Sequence, residues 1–399
     1  MAPLLPVADA LARVTAAFGP LPAEQVNIAH GLGRVLAEDV AARLTQPPTA
    51  VSSMDGYAVR AADVATAPTT LRRVGEAPAG GAHDGELGPG ETVRIFTGGP
   101  VPHGANAVIM QEDTDADGDQ VTMNEVAFPG KFVRPAGLDF SEGDVGLTAG
   151  RRLTPRDIGL AAAMNTPWLT VRRRPRIALL ATGDEVVRPG EPVGPNQIVS
   201  SNSLALAALV TEAGGEPVDL GIALDNADSL ERMAAGAKGA DVLVTTGGAS
   251  VGDHDLVQQV LGKVGFKLDF WRIAMRPGKP LIFGAINGTP LLGVPGNPVS
   301  ALVCAMVFLR PAIATMLAVD NGGGPETAVL GIDLEANDQR QDYLRARLEP
   351  GPNGELVATP FARQDSSMLS TLTASGCLVI RPPHAGPAKA GERAEILRL

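Results

Sequence analysis

Between about residues 170 and 321 the sequence alternates strand-like and helix-like runs, and this limits the possible folds more than any other feature. RIALLATG, PVDLGIALD and DVLVTT read as strands, separated by the helical stretches SLALAALVTEAG and DSLERMAAGAKG. In the second of these, Asp228 and Glu231 have the spacing of a capping box. HDLVQQVLGKVG then reads as a helix, DFWRIAM, LIFGA and PLLGV as strands, and PVSALVCAMVFLRPAIATML as a long apolar helix. Strands alternating with helices of this length predict a doubly wound, mostly parallel α/β sheet.

The flanks have a different texture. Residues 6–18 carry apolar positions at helical spacing, a second helical piece is expected over Gly31–Ala37, and helical pattern resumes at Pro155–Met164. Between them, short β-rich runs such as ETVRIFTGG and NAVIMQED are cut by Gly, Pro and Asp. The expected layout is multidomain α/β plus β. Residues 1–44 and 136–169 make a discontinuous helical domain, interrupted by a β-barrel-like insertion at 45–135. The α/β domain covers 170–321 and a small C-terminal β domain 322–399.

At 399 residues the chain is long enough for several cores. Its net charge of −11 repels nucleic acid and anionic membrane, so an anionic substrate needs a local basic cluster. The two cysteines, Cys304 and Cys377, are far apart, which argues against a disulfide framework and fits a reducing cytoplasm. We expect no signal peptide and no membrane span.

In an open α/β sheet, ligands bind beyond the carboxyl ends of the strands. ATGDE (181–185), ALD (223–225), TTGGASVGDHD (245–255), AMRPGKP (274–280) and GVPGNPVS (293–300) all fall there. Gly247 and Gly248 let the backbone approach a ligand, with Thr246 and Ser250 as neighbouring hydroxyls. Glu185, Asp225 and Asp255 are carboxylates on the same edge, the oxygen donors that Mg²⁺ prefers. Asp255 also suits the start of the next helix on dipole grounds alone, and Asp184–Glu185 also reads as a solvated turn. Arg276 and Lys279 supply positive charge. Pro295, Gly296, Asn297 and Ser300 open the long helix, where Asn297 is equally a good N-cap. In the β module, Asp55-Gly56 reads first as a hairpin turn, and Thr97 lies in a glycine loop.

Other chemistries lack their motifs. G-x-x-x-x-G-K-[ST], G-x-G-x-x-G and H-x-x-x-H are all absent, and His254 suits solvent or a cap better than catalysis.

SSMDGYAVR, TGGPVPHGANAVIMQED, ATGDE, SNS, TTGGASVGDHD, MRPGKP and VPGNPVS occur in the order found in the molybdopterin molybdenumtransferases, the family of bacterial MoeA and the gephyrin E domain, which the chain resembles over nearly its whole length. The resemblance implies Mg²⁺-dependent cleavage of adenylylated molybdopterin with insertion of molybdate, releasing molybdenum cofactor and AMP. It further implies a homodimer whose site lies between the α/β domain of one subunit and other domains of its partner. Other cofactor-biosynthesis proteins and recipient molybdoenzymes are the further partners implied. By motif, Asp55, Thr97, Glu185, Asp225, Asp255 and Lys279 match family functional positions. Glu185, Asp225 and Asp255 are the candidate metal ligands. Arg276 stands where the family often has lysine. Arg345 and Ser366 match, more loosely, substrate contacts contributed by the partner subunit, and Asp144 lacks the second acidic residue seen in some relatives. Two dianions brought to about 4 Å repel by roughly 16 kcal/mol at an effective dielectric near 20, so the chemistry calls for glycine N–H groups, cations and metal on one rim. A non-catalytic molybdopterin-binding scaffold is the alternative, and another nucleotide-dependent phosphoryl transferase is disfavoured by the missing P-loop.

Overall fold

Strand β7 of the α/β sheet, Arg176–Thr182, is buried from Ile177 onward, because this strand has protein on both faces. The computed structural model describes residues 4–224, 226–247, 265–319, 326–352 and 354–399. They fall into two compact units: one contains residues up to 24, 33–35 and 171–399, the other 25–32 and 36–170.

In the second unit six strands form one sheet: β1 (Gly56–Val59), β2 (Thr69–Ala77), β3 (Glu91–Ile95), β4 (Ala107–Met110), β5 (Thr114–Asp117) and β6 (Gln120–Met123). Their order is β4-β1-β3-β2-β6-β5, with β2 and β3 parallel. Alternation along β1 sends Tyr57 and Val59 into one apolar cluster and Ala58 into another, so this sheet too is covered on both sides. Helix Pro155–Ala163 opens with Asp157 accepting from the Thr154 amide at 2.8 Å and hydroxyl at 2.7 Å. The helix expected over Gly31–Ala37 is absent. Gly33 takes φ +73°, which breaks helical geometry, and the amides of Leu36 and Ala37 bond to Arg151 and Thr170 instead.

In the first unit, β7 is joined by β8 (Glu216–Ala223), β9 (Val242–Thr246), β10 (Phe266–Trp271), β11 (Ile282–Ile286) and β12 (Thr289–Val294). The order is β8-β7-β9-β12-β11-β10, parallel from β8 to β12 and antiparallel thereafter. Ile177, Leu179, Val242, Val244, Leu292 and Val294 feed one core, while Ala178, Leu180, Leu243 and Leu291 feed a second on the other face. This two-sided burial is why the strands read as apolar runs. The first helix, Val7–Ala16, was expected with residues 136–169 but contributes Val7, Ala10 and Val14 to the first of these cores. Helix Ala227–Ala234 is capped by Asn226, whose side chain accepts from the Ser229 amide at 2.9 Å, so the expected Asp228–Glu231 box begins two residues too late. The expected helix HDLVQQVLGKVG lies outside the described residues apart from its last glycine.

The helical run Pro298–Leu317 is long and apolar enough to cross a membrane, yet Val299, Phe308, Leu309, Ile313 and Leu317 are buried in the protein core. Its middle, Ala305–Leu309, widens to a π turn just before Pro311, which has no amide hydrogen to donate and would clash with a regular preceding turn. Five strands of the C-terminal part, Glu326–Leu330, Gln341–Pro350, Leu356–Pro360, Cys377–Arg381 and Arg393–Arg398, close into a five-stranded barrel. Closure comes from the pairing of Gln341–Pro350 with Cys377–Arg381. Met275–Arg276 adds to this barrel as a parallel edge, tying the RPGKP loop to it.

Candidate active site

A cavity of about 570 Å³ opens at the carboxyl ends of β7 and β9. Thr182 and Glu185 come from ATGDE, Asn202 from SNS, Thr246 and Gly247 from the loop after β9, and Pro295, Gly296 and Asn297 from the turn after β12. Pro280 of the RPGKP loop and the apolar Ile198 and Val199 complete the walls. Loops separated by up to about a hundred residues thus meet where an α/β sheet offers a site.

Asn202 fastens three of these loops. Its side-chain amide donates to Thr246 Oγ1 and to the Gly296 carbonyl, both at 2.8 Å. The SNS motif contained this signal, because a polar side chain at the first turn of a helix faces the strand ends, but Asn202 was not among the expected site residues. Gly247 has φ +95°, and a Cβ there would stand 2.4 Å from the Thr182 carbonyl oxygen. Only glycine allows the turn to close on β7 this tightly.

The carboxylate of Glu185 accepts no hydrogen bond among the described residues, and a Cβ on Gly183 would fall 2.6 Å from its Oε2. A free carboxylate folded over a glycine suits Mg²⁺, which commonly takes one or two carboxylates and completes its shell with water and substrate oxygens. Among the described residues there is no group of three acidic, histidine or cysteine side chains able to hold a metal. Asp225, Gly248, Ser250 and Asp255 lie outside the described residues.

The two cations of the RPGKP loop differ. Arg276 was expected to neutralise substrate charge, but its Nε donates to Asp342 Oδ1 at 2.8 Å and its Nη2 to Asp342 Oδ2, with Asp338 a further 3.5 Å partner. Pairing with Asp342 raises the Arg276 pKa and commits the charge to the barrel. Lys279 is exposed and has no carboxylate partner among the described residues.

Arg345 and Ser366, expected as partner-subunit contributors, both make hydrogen bonds within their own chain. Arg345 is 1% exposed. It donates to Gln364 Oε1 at 3.0 Å and to the Asp365 carbonyl at 2.9 Å. The loop so held presents Ser366, whose Oγ pairs with the Asn297 side chain at 2.8 Å and whose carbonyl accepts from the Val299 amide at 3.1 Å. Asn297 does stand at the N-cap, but its side chain goes to Ser366 and not to the helix amides. Ser300 is buried in the first helical turn and does not line the cavity.

Asp55 and Thr97 lie in the other unit and meet each other. Asp55 Oδ1 accepts from the Thr97 amide at 2.7 Å and hydroxyl at 2.8 Å. These bonds, with Arg94 nearby, hold the Asp55 pKa below the usual carboxylate value. The two loops are laced by backbone bonds between Gly98 and Ser52 and between Ser52 and Gly99, each 2.9 Å. Gly56 is more than a hairpin residue, since a Cβ there would reach 1.9 Å from the Ile109 oxygen. Asp144 accepts from the Ser141 amide at 2.7 Å, a local turn contact.

Known families match the chain in three successive segments. The MoeA N-terminal region (domain I and II) matches residues 5–165, a probable molybdopterin binding domain 178–315, and the MoeA C-terminal region (domain IV) 327–399. The molybdopterin molybdenumtransferase of Haemophilus influenzae is 34% identical over 94% of this chain and 94% of its own. That of Bacillus subtilis is 33% identical over 98% and 94%. Two crystal structures of a molybdopterin biosynthesis MoeA protein from Pyrococcus horikoshii superpose with TM-scores of 0.85 and 0.83 at 32% and 29% identity, covering 99% and 100% of both chains. Together with the strand-end cavity, these likenesses make the chain a member of the molybdopterin molybdenumtransferase family, a transferase of molybdenum cofactor biosynthesis.

Proposed function

We propose that the strand-end cavity takes adenylylated molybdopterin and molybdate, cleaves the phosphoanhydride with release of AMP, and leaves molybdenum on the dithiolene. The observation that carries this reading is the convergence of Glu185, Asn202, Thr246, Gly247 and Asn297 around one cavity of nucleotide-accepting size. Glu185 would hold Mg²⁺, with Asp225 and Asp255 assigned by motif. A bound Mg²⁺ supplies neutralisation of phosphoanhydride charge.

The protein's own part is positioning and electrostatics. Lys279 meets anionic oxygens at the rim. The turn at Thr246–Gly247 brings backbone close to the ligand, with Gly248 and Ser250 continuing it by motif. Pro295, Gly296 and Asn297 form the opposite wall, steadied by Ser366. Arg345 supports that wall from beneath, and Asp55 and Thr97 belong to the same reaction by motif. A homodimer is proposed as the working form, delivering product to recipient molybdoenzymes. The insertion at 45–135 and the tail at 322–399 are proposed as its separable modules.

Incubating purified protein with adenylylated molybdopterin, molybdate and Mg²⁺ tests the reading. AMP release matched by cofactor able to reconstitute a molybdoenzyme is expected. Binding without turnover would favour a scaffold role and overturn it.

A further inference from the structure

Two threonine hydroxyls end adjacent strands at the floor of the cavity, and they are in opposite states. Thr246 Oγ1 accepts from Asn202 at 2.8 Å and lies 3.5 Å from the Pro295 carbonyl oxygen. Thr182 is 6% exposed and lines the same cavity, and its Oγ1 is buried with no hydrogen-bond partner among the described residues. Among the described residues only two other side-chain atoms, Thr166 Oγ1 and Arg172 Nε, share that condition, and neither lines this cavity.

A buried hydroxyl without a partner costs free energy, since water has been removed and nothing replaces it. The site around Thr182 is nevertheless built with care. A Cβ on Gly247 would come 2.8 Å from Thr182 Oγ1, so glycine lets the turn after β9 fold directly over the hydroxyl. The strands keep Thr182 at the edge of the ladder, beyond the Ala181–Thr246 pair. Among the described residues its proton is therefore uncommitted, next to the glycine turn after β9.

We infer that Thr182 is a specificity residue of this cavity, donating its hydroxyl hydrogen to a tetrahedral oxyanion of the bound substrate. An oxyanion can only accept, so the hydroxyl must donate, and a charged acceptor makes the stronger bond. The ligand class is phosphate-like, and both the nucleotide phosphate and molybdate belong to it. This rests on the proposed function, which supplies the oxyanions.

The test is Thr182→Val, which keeps the shape and removes the donor, beside Thr182→Ser, which restores it. Binding of AMP and of molybdate is measured separately by calorimetry, with thermal unfolding of the ligand-free protein. We expect Thr182→Val to weaken one of the two oxyanions about tenfold or more, the range for a hydrogen bond to a charged group. Thr182→Ser should bind within about threefold of wild type on the same grounds, and the ligand-free unfolding temperature of Thr182→Val should be unchanged or raised. The arm that weakens identifies which oxyanion the hydroxyl meets. Unchanged affinity for both in Thr182→Val would overturn the inference while leaving the proposed function intact. So would a lowered unfolding temperature of the ligand-free variant, because the hydroxyl would then already have a structural partner. A wild-type protein that binds neither oxyanion and releases no AMP would remove the proposed function, and this inference with it.

Discussion

Asp55 receives two hydrogen bonds from Thr97 and has Arg94 close by, whereas Glu185, also next to a glycine turn, receives none among the described residues. The same contrast recurs in the cations of the RPGKP loop, where Arg276 is paired with Asp342 and Lys279 is not. A carboxylate whose lone pairs are already used serves to hold geometry, and one left open can take a cation or water. Engaged charges thus shape the molecule, and open ones are available to a ligand. If that division is right, removing an open charge should cut turnover with little effect on stability, and removing an engaged one should show in stability or pH response first.

Glu185→Gln carries the largest expected effect. It keeps the size of the side chain and removes the charge, so AMP release should fall by about a hundredfold, in the range lost with one preorganised electrostatic contact. The Mg²⁺ concentration for half-maximal rate should rise. Turnover and Mg²⁺ dependence equal to wild type would mean that the open carboxylate is only a solvated turn.

Lys279→Ala comes next, with a loss of at least about tenfold in AMP release and an unfolding temperature close to wild type. A variant that unfolds early would show the lysine to be engaged after all, and the comparison would lose one of its open members.

Much of this rim could be read from the sequence because glycines and carboxylates after apolar strands have few other uses at that edge. Glu185, Thr246, Gly247 and Asn297 were found this way. What could not be read depends on distant pairing. Ser366 meets Asn297 across 69 residues, and Arg276 meets Asp342 across 66. No local pattern encodes that a barrel strand will lie beside the RPGKP loop, so Arg276 was taken as free. Local patterns also misled where two of them competed. Asp228 and Glu231 fit a capping box, yet Asn226 reached the helix amides first. A helical piece was expected over Gly31–Ala37, which Gly33 at φ +73° prevents.

Thr97→Val probes the engaged carboxylate. The wild-type Asp55 pKa is depressed in the folded protein, so its stabilising contribution is complete above the unfolded value and is lost as pH falls through the lower folded value. Removing the hydroxyl leaves only the amide bond, so the folded pKa should rise towards the ordinary carboxylate range and the acid limb of the activity profile should move to higher pH. Turnover near neutrality should fall by only about threefold to tenfold, as for one neutral hydrogen bond. An acid limb that stays in place would show that Thr97 does not set the state of Asp55.

Arg276→Lys is the mildest test and the one specific to this chain. Lysine keeps the positive charge but cannot span both oxygens of Asp342 side-on as the guanidinium does through Nε and Nη2. Asp342 is only 4% exposed, so its carboxylate would be left partly unpaired. Because the arginine is itself about half exposed (side chain 47%), solvent screening should limit the loss of stability to about 1–2 kcal/mol. Turnover at temperatures well below unfolding should change by less than about threefold, since the contact weakened is the one with Asp342 of the barrel and the positive charge is kept. Guanidinium-chloride unfolding followed beside AMP release separates the two quantities. A large fall in turnover at unchanged stability would make Arg276 a substrate contact despite its pairing with Asp342.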